Sequence, residues 1–325
     1  MPRNISTTVI ENEFVLKALT ENVRLDNRAF MHMRPLDVQF SSTEYGVVDV
    51  RLGRTRVVAR ISAEVTQPRQ DRPYDGLFII TTEISPMAAP TFEAGRKSEE
   101  ELVISRIIDK SIRLSGALDT ESLCIIAGEK CWAIRADVHF LDHDGGLVDA
   151  ACIAVSAGLH HYRRPDVSIR GVGNRREIHV HPVTERVPVP LSVLHFPVCV
   201  TFSFFDKKDA VSAISESATN ADDDMPTGDG DDDEDNTVVL IDASLQEEIL
   251  RHGFMSVTAN SNQEISQIYK AGELAVDVSL LLKFSELSIK IADRITALVK
   301  KRLVEDEEVR NVGNMRAEAS AENDR

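Results

Sequence analysis

The stretch FLDHDGGLVDAACIAV, residues 140–155, changes its period partway along, and this change limits the fold more than any other feature of the chain. Up to Asp142 the spacing is that of a strand, with Trp132, Ile134, Ala136, Val138 and Phe140 on one face and Arg135, Asp137 and His139 on the other. Beyond Gly145-Gly146 it is helical, and the helix carries small residues: Ala150, Ala151, Ala154, Ala157 and Gly158. A strand that turns through two glycines into such a helix brings the helix close against its own sheet. A strand, a glycine turn and a helix N-terminus together are also a common way to hold a phosphate group, so the same residues raise a chemical question.

The rest of the chain fits an α+β organisation. Residues 46–65 alternate around Gly53-Arg54 and read as a hairpin, and residues 77–84 as a further strand. A second hairpin, residues 121–127 and 130–142, turns at Gly128-Glu129. Thr8 with Glu11, and Ser98 with Glu101, have the capping-box spacing and start helices. The first helix is short and reads as an N-terminal arm outside the core. The second should run to about Ser115 on a stripe of Val103, Ile104, Ile107, Ile108 and Ile112. A later set of strands, residues 178–180, 198–205, 238–241 and a hairpin over 255–268, closes on one long helix from Glu273 to about Leu303. The two halves follow one pattern, strands and then a covering helix, as a diverged internal duplication would. The expected organisation is an arm over residues 1–27, a first domain over 28–173, a second over 174–303 with a disordered acidic insert at 214–236, and a disordered acidic tail over 304–325.

The net charge of −16 argues against a nucleic-acid partner only if it is spread evenly. It is not. Residues 216–236 hold ten acids and no bases, and residues 305–325 seven acids against three bases, so the body is nearly neutral and can carry a local basic surface. The insert has too few apolar residues to offset its ordering entropy; it reads as a solvated loop or a docking strip for a basic partner. No window approaches eighteen apolar residues, and the polar, acidic N-terminus lacks the apolar core of a signal peptide, so a soluble, unsecreted protein without a membrane partner is expected. Cys124, Cys131, Cys152 and Cys199 show no CxxC spacing, which indicates neither zinc nor disulfide.

The runs RPLDVQFSSTEYGVVDVRLGRTRVVARISAEVTQPRQDRPYDG, ISPMAAPTFEAGR, DTESLCIIAGEKCWAIRADVHFLDHDGGLVDAACIAV and HHYRRPDVSIRGVG resemble the RNase PH family. Within it, SPMA, AGEK with the nearby Trp132, and HxLDxDGG are similar to the subunits that build the RNA exosome ring. The resemblance implies two RNase PH-type domains, a ribosomal protein S5 domain 2-like first domain and an RNase PH C-terminal domain, with helices covering mixed sheets. It also implies a six-membered hetero-oligomeric ring that threads single-stranded RNA without reading its sequence. The implied partners are other ring subunits, especially a neighbour of the ribosomal RNA-processing protein 41 type, cap subunits on one face and hydrolytic exoribonucleases on the other. The implied locations are nucleus, nucleolus and cytoplasm.

Active members of the family hold phosphate with a DGGTRT-type loop, whose arginine is among the strongest polar contacts a phosphate can receive. Here Leu147, Val148 and Asp149 stand in its place, and Asp149 puts a carboxylate in the first helical turn, where it would repel an anion. Of the family's pair of acids, Glu248 fits the first position, while the second falls near Phe254, which cannot serve as acid, base or ligand. The expectation is a structural subunit with no catalytic residues, cofactor or metal. The alternatives are a phosphorolytic 3′-to-5′ exoribonuclease and a free RNA-binding adaptor. Arg106, Lys110 and Arg113, at i, i+4 and i+7, are the candidate RNA contacts, gripping phosphates without reading bases. The competing reading is a solvated face on which Asp109 pairs with Arg113. Arg69 and Arg72 could reach RNA or a neighbouring subunit. His139 with His143, and His179 with His181, lack a third ligand at metal spacing.

Overall fold

A computed structural model describes residues 8–93, 95–170, 177–182, 185–206 and 237–323, without the side chains of Arg170 and of residues 311–323. The insert expected at 214–236 lies outside the described residues.

The first sheet contains β1 (Leu36–Phe40), β2 (Val47–Leu52), β3 (Thr55–Thr66), β4 (Leu77–Ile84) and, beyond helix α2 (Glu99–Ile108), β5 (Cys124–Ile126) and β6 (Lys130–Asp142). Its order is β1-β2-β3-β6-β4, with β5 also paired to β6; only β4 with β6 is parallel, so the sheet is mixed. Both hairpins form, but the first strand of the second is shorter than expected, because Glu121–Leu123 is a 3-10 turn. The face of β6 carrying Trp132, Ile134, Ala136, Val138 and Phe140 is buried, as expected.

Helix α3 (Leu147–His161) lies on this sheet against β2, β3 and β6, and its other side meets β11 of the second sheet. It is therefore enclosed from both sides, and thirteen of its fifteen residues are buried. That explains the small residues more fully than one close sheet would, because a helix packed all round has no polar face to display. Ser156 bonds across to the second half, its Oγ donating to the Pro197 carbonyl at 3.0 Å.

After the short strands β7 (Arg163–Arg164), β8 (Val167–Arg170), β9 (Glu177–Val180) and β10 (Val189–Pro190), the second sheet is built from β11 (Val198–Asp206), β12 (Thr237–Ile241), β13 (Gly253–Ala259) and β14 (Ile265–Gly272). Its order is β12-β11-β13-β14, antiparallel throughout. Helix α4 (Leu245–Leu250) intervenes before β13, and α5 (Val278–Asn323) packs on β11 and β13.

Two expectations need correction, and a third, the second helix, is met in extent but not in form. The N-terminal arm is not outside the packing: α1 (Val9–Thr20), capped by Thr8 and Glu11 as its spacing foretells, buries Val15 and Leu19 against Phe205, Val238 and Leu240 of the second sheet. The second helix turns from α to π at Asp109, and the wider turn continues to Leu114. The last helix begins at Val278 and does not stop near Leu303. It continues to Asn323, where a disordered tail was expected, and as far as Arg310 its continuation is tied to the first domain. Asp306 faces His161 Nε2 at 3.2 Å, Glu307 pairs with Arg163 at 3.1 Å, and the Arg310 guanidinium lies 4.4 Å over the Tyr45 ring while donating to the Ser41 carbonyl.

Candidate functional site

The join after β6 is built by two consecutive left-handed residues, Gly145 at φ 80° and Gly146 at φ 66°. Neither tolerates a side chain. A Cβ on Gly145 would lie 2.4 Å from the Ala243 carbonyl, and one on Gly146 2.6 Å from Arg34. The turn is thus pressed against the second half of the chain on one side and against Arg34 on the other.

Arg34 fixes the orientation of the loop. Its guanidinium donates to the carbonyls of Asp144 at 2.6 Å and Gly145 at 3.0 Å, and to both oxygens of Asp242 at 2.9 and 2.6 Å. A cation therefore does stand beside the glycines, but it grips the carbonyl side of the turn and its charge is balanced by buried Asp242. Arg28 reaches Asp242 as well, at 3.3 Å. Arg24, fully buried, is bidentate to Glu247 at 3.0 and 2.6 Å and caps the carbonyls of Ile241 and Asp242. Three arginines of the N-terminal segment thus lock the glycine turn to the end of β12 and the start of α4.

The amide side of the turn faces a carboxylate. Gly146 N–H donates to Glu248 Oε1 at 3.2 Å, and the same oxygen accepts from Arg251 at 3.1 Å. Arg251 in turn lies 4.3 Å over the Phe254 ring. These groups line a cavity of about 300 Å³ between the two halves, together with Val103, Ile104, Leu147, Val148 and His143. Burial holds the pKa of the His143 imidazole below its ordinary value, which disfavours its charged form. The structure therefore brings Gly146, Glu248 and Phe254 together around one space, as the loop and acid-pair reading requires.

Asp149 does not do what its position in the first turn suggests. Its carboxylate is fully buried and points away from the loop toward β11, accepting from the Thr201 amide at 3.0 Å and the Thr201 hydroxyl at 2.6 Å. Burial pushes its pKa well above the ordinary carboxylate range, while its two hydrogen bonds hold it toward Thr201 rather than toward the loop amides. The carboxylate on the amide side of the loop is Glu248.

Arg106, Lys110 and Arg113 are all exposed and stand apart from the cavity, whose wall is the opposite, apolar side of α2. Arg106 and Lys110 form no ion pair among the described residues. Arg113 is bidentate to Asp109, with both contacts at 2.5 Å, and the π turn takes it out of strict α-helical register with the other two. Arg72 pairs with Asp75 at 3.6 Å. His139 sits 3.4 Å from Glu83, and His181 bridges Ser168 and Glu185. No group of three or more metal-ligating side chains occurs among the described residues.

The sequence reading missed α4 and the arginine lock. One signal for the helix was present: Ser244 with Glu247 has the same capping-box spacing as Thr8 with Glu11, and the Ser244 amide donates to Glu247 Oε2 at 2.8 Å. Nothing local marks Arg24 or Arg34, because Glu247 and Asp242, the carboxylates they grip, lie more than two hundred residues away.

Comparison with known proteins agrees with this architecture. Domain 1 of the 3′ exoribonuclease family, RNase PH, matches residues 32–165, and domain 2 matches residues 195–291. The chain is 46% identical to exosome complex component rrp45 of Schizosaccharomyces pombe over 325 residues, all of both chains. It is 47% identical to exosome complex component RRP45 of Saccharomyces cerevisiae over 312 residues, 96% of this chain and 95% of that one. A chain of the Archaeoglobus fulgidus exosome with RNA bound to the active site superposes with a TM-score of 0.68 at 26% identity, covering 89% of this chain and 97% of that chain.

Proposed function

The chain belongs to the RNase PH family of 3′ exoribonucleases, and from that premise we propose that it is a catalytically inactive structural subunit of an RNA exosome core ring. In this role it helps form the channel through which RNA passes for 3′-to-5′ processing and degradation. One observation carries the inactive reading: the amide that would receive phosphate, Gly146 N–H, is held by the chain's own Glu248. The loop brings no arginine to that side, Arg34 being engaged by the carbonyls and Asp242. Phe254 at the second acid position supplies neither proton transfer nor metal binding. An incoming phosphate would have to displace a carboxylate that already has two donors.

Arg106 and Lys110 are our candidates for RNA contact, with Arg113 as a lesser contributor because Asp109 already neutralises it. Their exposure, and their lack of acidic partners among the described residues, suit sequence-independent phosphate contacts. We further propose ring neighbours including one of the ribosomal RNA-processing protein 41 type, cap subunits and an associated hydrolytic nuclease, a domain division at residues 28–173 and 174–303, and residence in nucleus, nucleolus and cytoplasm. No helix among the described residues is long and apolar enough to cross a membrane.

A phosphorolysis assay tests the reading. The purified chain, alone and assembled with its ring neighbours, is given labelled RNA and inorganic phosphate, and nucleoside diphosphate release is measured. No release attributable to this chain is expected. Release that disappears in Glu248→Ala would establish the phosphorolytic alternative instead.

A further inference from the structure

The cavity beside Gly146 keeps a shape for which the loss of phosphate chemistry leaves no use. Its walls are Val103 and Ile104 of α2, Leu147 and Val148 at the start of α3, and Ile249 and Phe254 from α4 and β13. Such a surface, about 300 Å³ in volume at the junction of two domains, suits an apolar body. Its charged groups are mainly acidic: Glu99, Glu100 and Glu248 against Arg251. Glu248 is neutralised by Arg251, but Glu99 and Glu100, exposed in the first turn of α2, form no ion pair among the described residues. An anion entering here meets uncompensated carboxylates, whereas a cation finds two of them beside an apolar recess.

We propose that this cavity is a docking site for a segment of a partner protein that inserts an apolar side chain and lays a neighbouring lysine or arginine against Glu99 and Glu100. The charge complementarity selects the cation. A peptide segment fits better than a small molecule, because the two carboxylates lie on the exposed first turn of α2 while the recess is lined from both halves of the chain. One residue of a segment can fill the recess while the next reaches the carboxylates. The inference rests on the reading that this cavity does not turn over phosphate.

The probe is a fluorescent tetrapeptide, acetyl-Leu-Phe-Arg-Lys-amide, compared with acetyl-Leu-Phe-Glu-Asp-amide, titrated by anisotropy against the full-length chain at low salt. The basic peptide is expected to bind at least tenfold more tightly. Glu99→Gln with Glu100→Gln, both exposed positions, should erase the preference, and Val148→Trp, which fills the recess, should weaken both peptides. Equal binding of the two peptides, a preference that survives the paired glutamine substitutions, or displacement of the basic peptide by oligoadenylate would each overturn the proposal. Nucleoside diphosphate release by the same preparation would sink the inactive reading. No release and no charge preference would sink this inference alone.

Discussion

The buried Arg24–Glu247 pair is the firmest link between the N-terminal arm and the helix that carries Glu248, so replacing Arg24 with methionine should loosen both. The substitution removes two hydrogen bonds to Glu247 and the donors to the Ile241 and Asp242 carbonyls. Methionine refills most of the hydrocarbon volume, so the loss is chiefly electrostatic. Glu247 is left about 1% exposed with the Ser244 amide as its remaining donor. Breaking one side of a buried ion pair costs about 3–5 kcal/mol. At roughly 1.4 kcal/mol per factor of ten, the opening equilibrium should rise by about a thousandfold. Hydrogen–deuterium exchange on the full-length chain reads this directly, as reduced protection of amides in Val9–Thr20 and Leu245–Leu250. Pairing Arg24→Met with Glu247→Leu removes the stranded charge and should restore more than half of the protection, with the uncapped Ile241 carbonyl accounting for about 1 kcal/mol of the remainder. Protection within tenfold of the natural chain in Arg24→Met, or a double variant less protected than the single one, would refute the argument.

Two further outcomes follow from the geometry. In the assembled ring, replacing Arg106 and Lys110 with alanine should weaken RNA binding and reduce the log–log salt slope by about 1.4, at roughly 0.7 for each single-strand phosphate that is no longer neutralised. Adding Arg113→Ala should change little more, and an unaltered slope would remove the stripe from the RNA path. Burial of His161 lowers its pKa to about 4 from 6.5, and the Gly46 amide donating to Nδ1 at 3.1 Å places its proton on Nε2, toward Asp306. As pH falls through that window the unfolded chain takes up the proton before the folded one does. The contribution of His161 to stability should therefore decline by up to about 1.4 kcal/mol per pH unit between 6.5 and 4 and be flat above, on top of any share from the other buried histidines. Urea midpoints across pH check this, and His161→Gln should flatten the slope.

What the sequence made legible depended on how far apart the interacting residues lie. The β2–β3 hairpin, the turn between β5 and β6, the buried face of β6 and the capping box at Thr8 rest on period and on partners a few residues away, and they formed as read, whereas Ser98 caps α2 without the reciprocal Glu101 bond and residues 121–123 form a 3-10 turn before a shorter β5. The small residues of α3 were visible, but not their reason, because the second sheet that covers them begins some forty residues later. The same limit applied at the site. Leu147 and Val148 in place of an arginine could be read directly, and the structure brings Glu248 and Phe254 to the same cavity. Asp149 was misjudged because first-turn position predicts a dipole contact, whereas its side chain is claimed by Thr201 across the domain junction. The continuation of α5 past Leu303 was hidden in a highly charged composition; Asp306, Glu307 and Arg310 each meet a partner in the first domain that no local pattern announces.

The most direct test of the claim that this loop holds the chain's own carboxylate instead of phosphate is the Gly146 amide itself. In a 15N-labelled, deuterated sample its resonance is followed while inorganic phosphate is added to millimolar concentration, in the natural chain and in Glu248→Gln. The account predicts no saturable shift in the natural chain, and a shift on making the substitution, before any phosphate is present, as the amide gives up its charged acceptor. A saturable phosphate-dependent shift of Gly145 and Gly146 in the natural chain would contradict it.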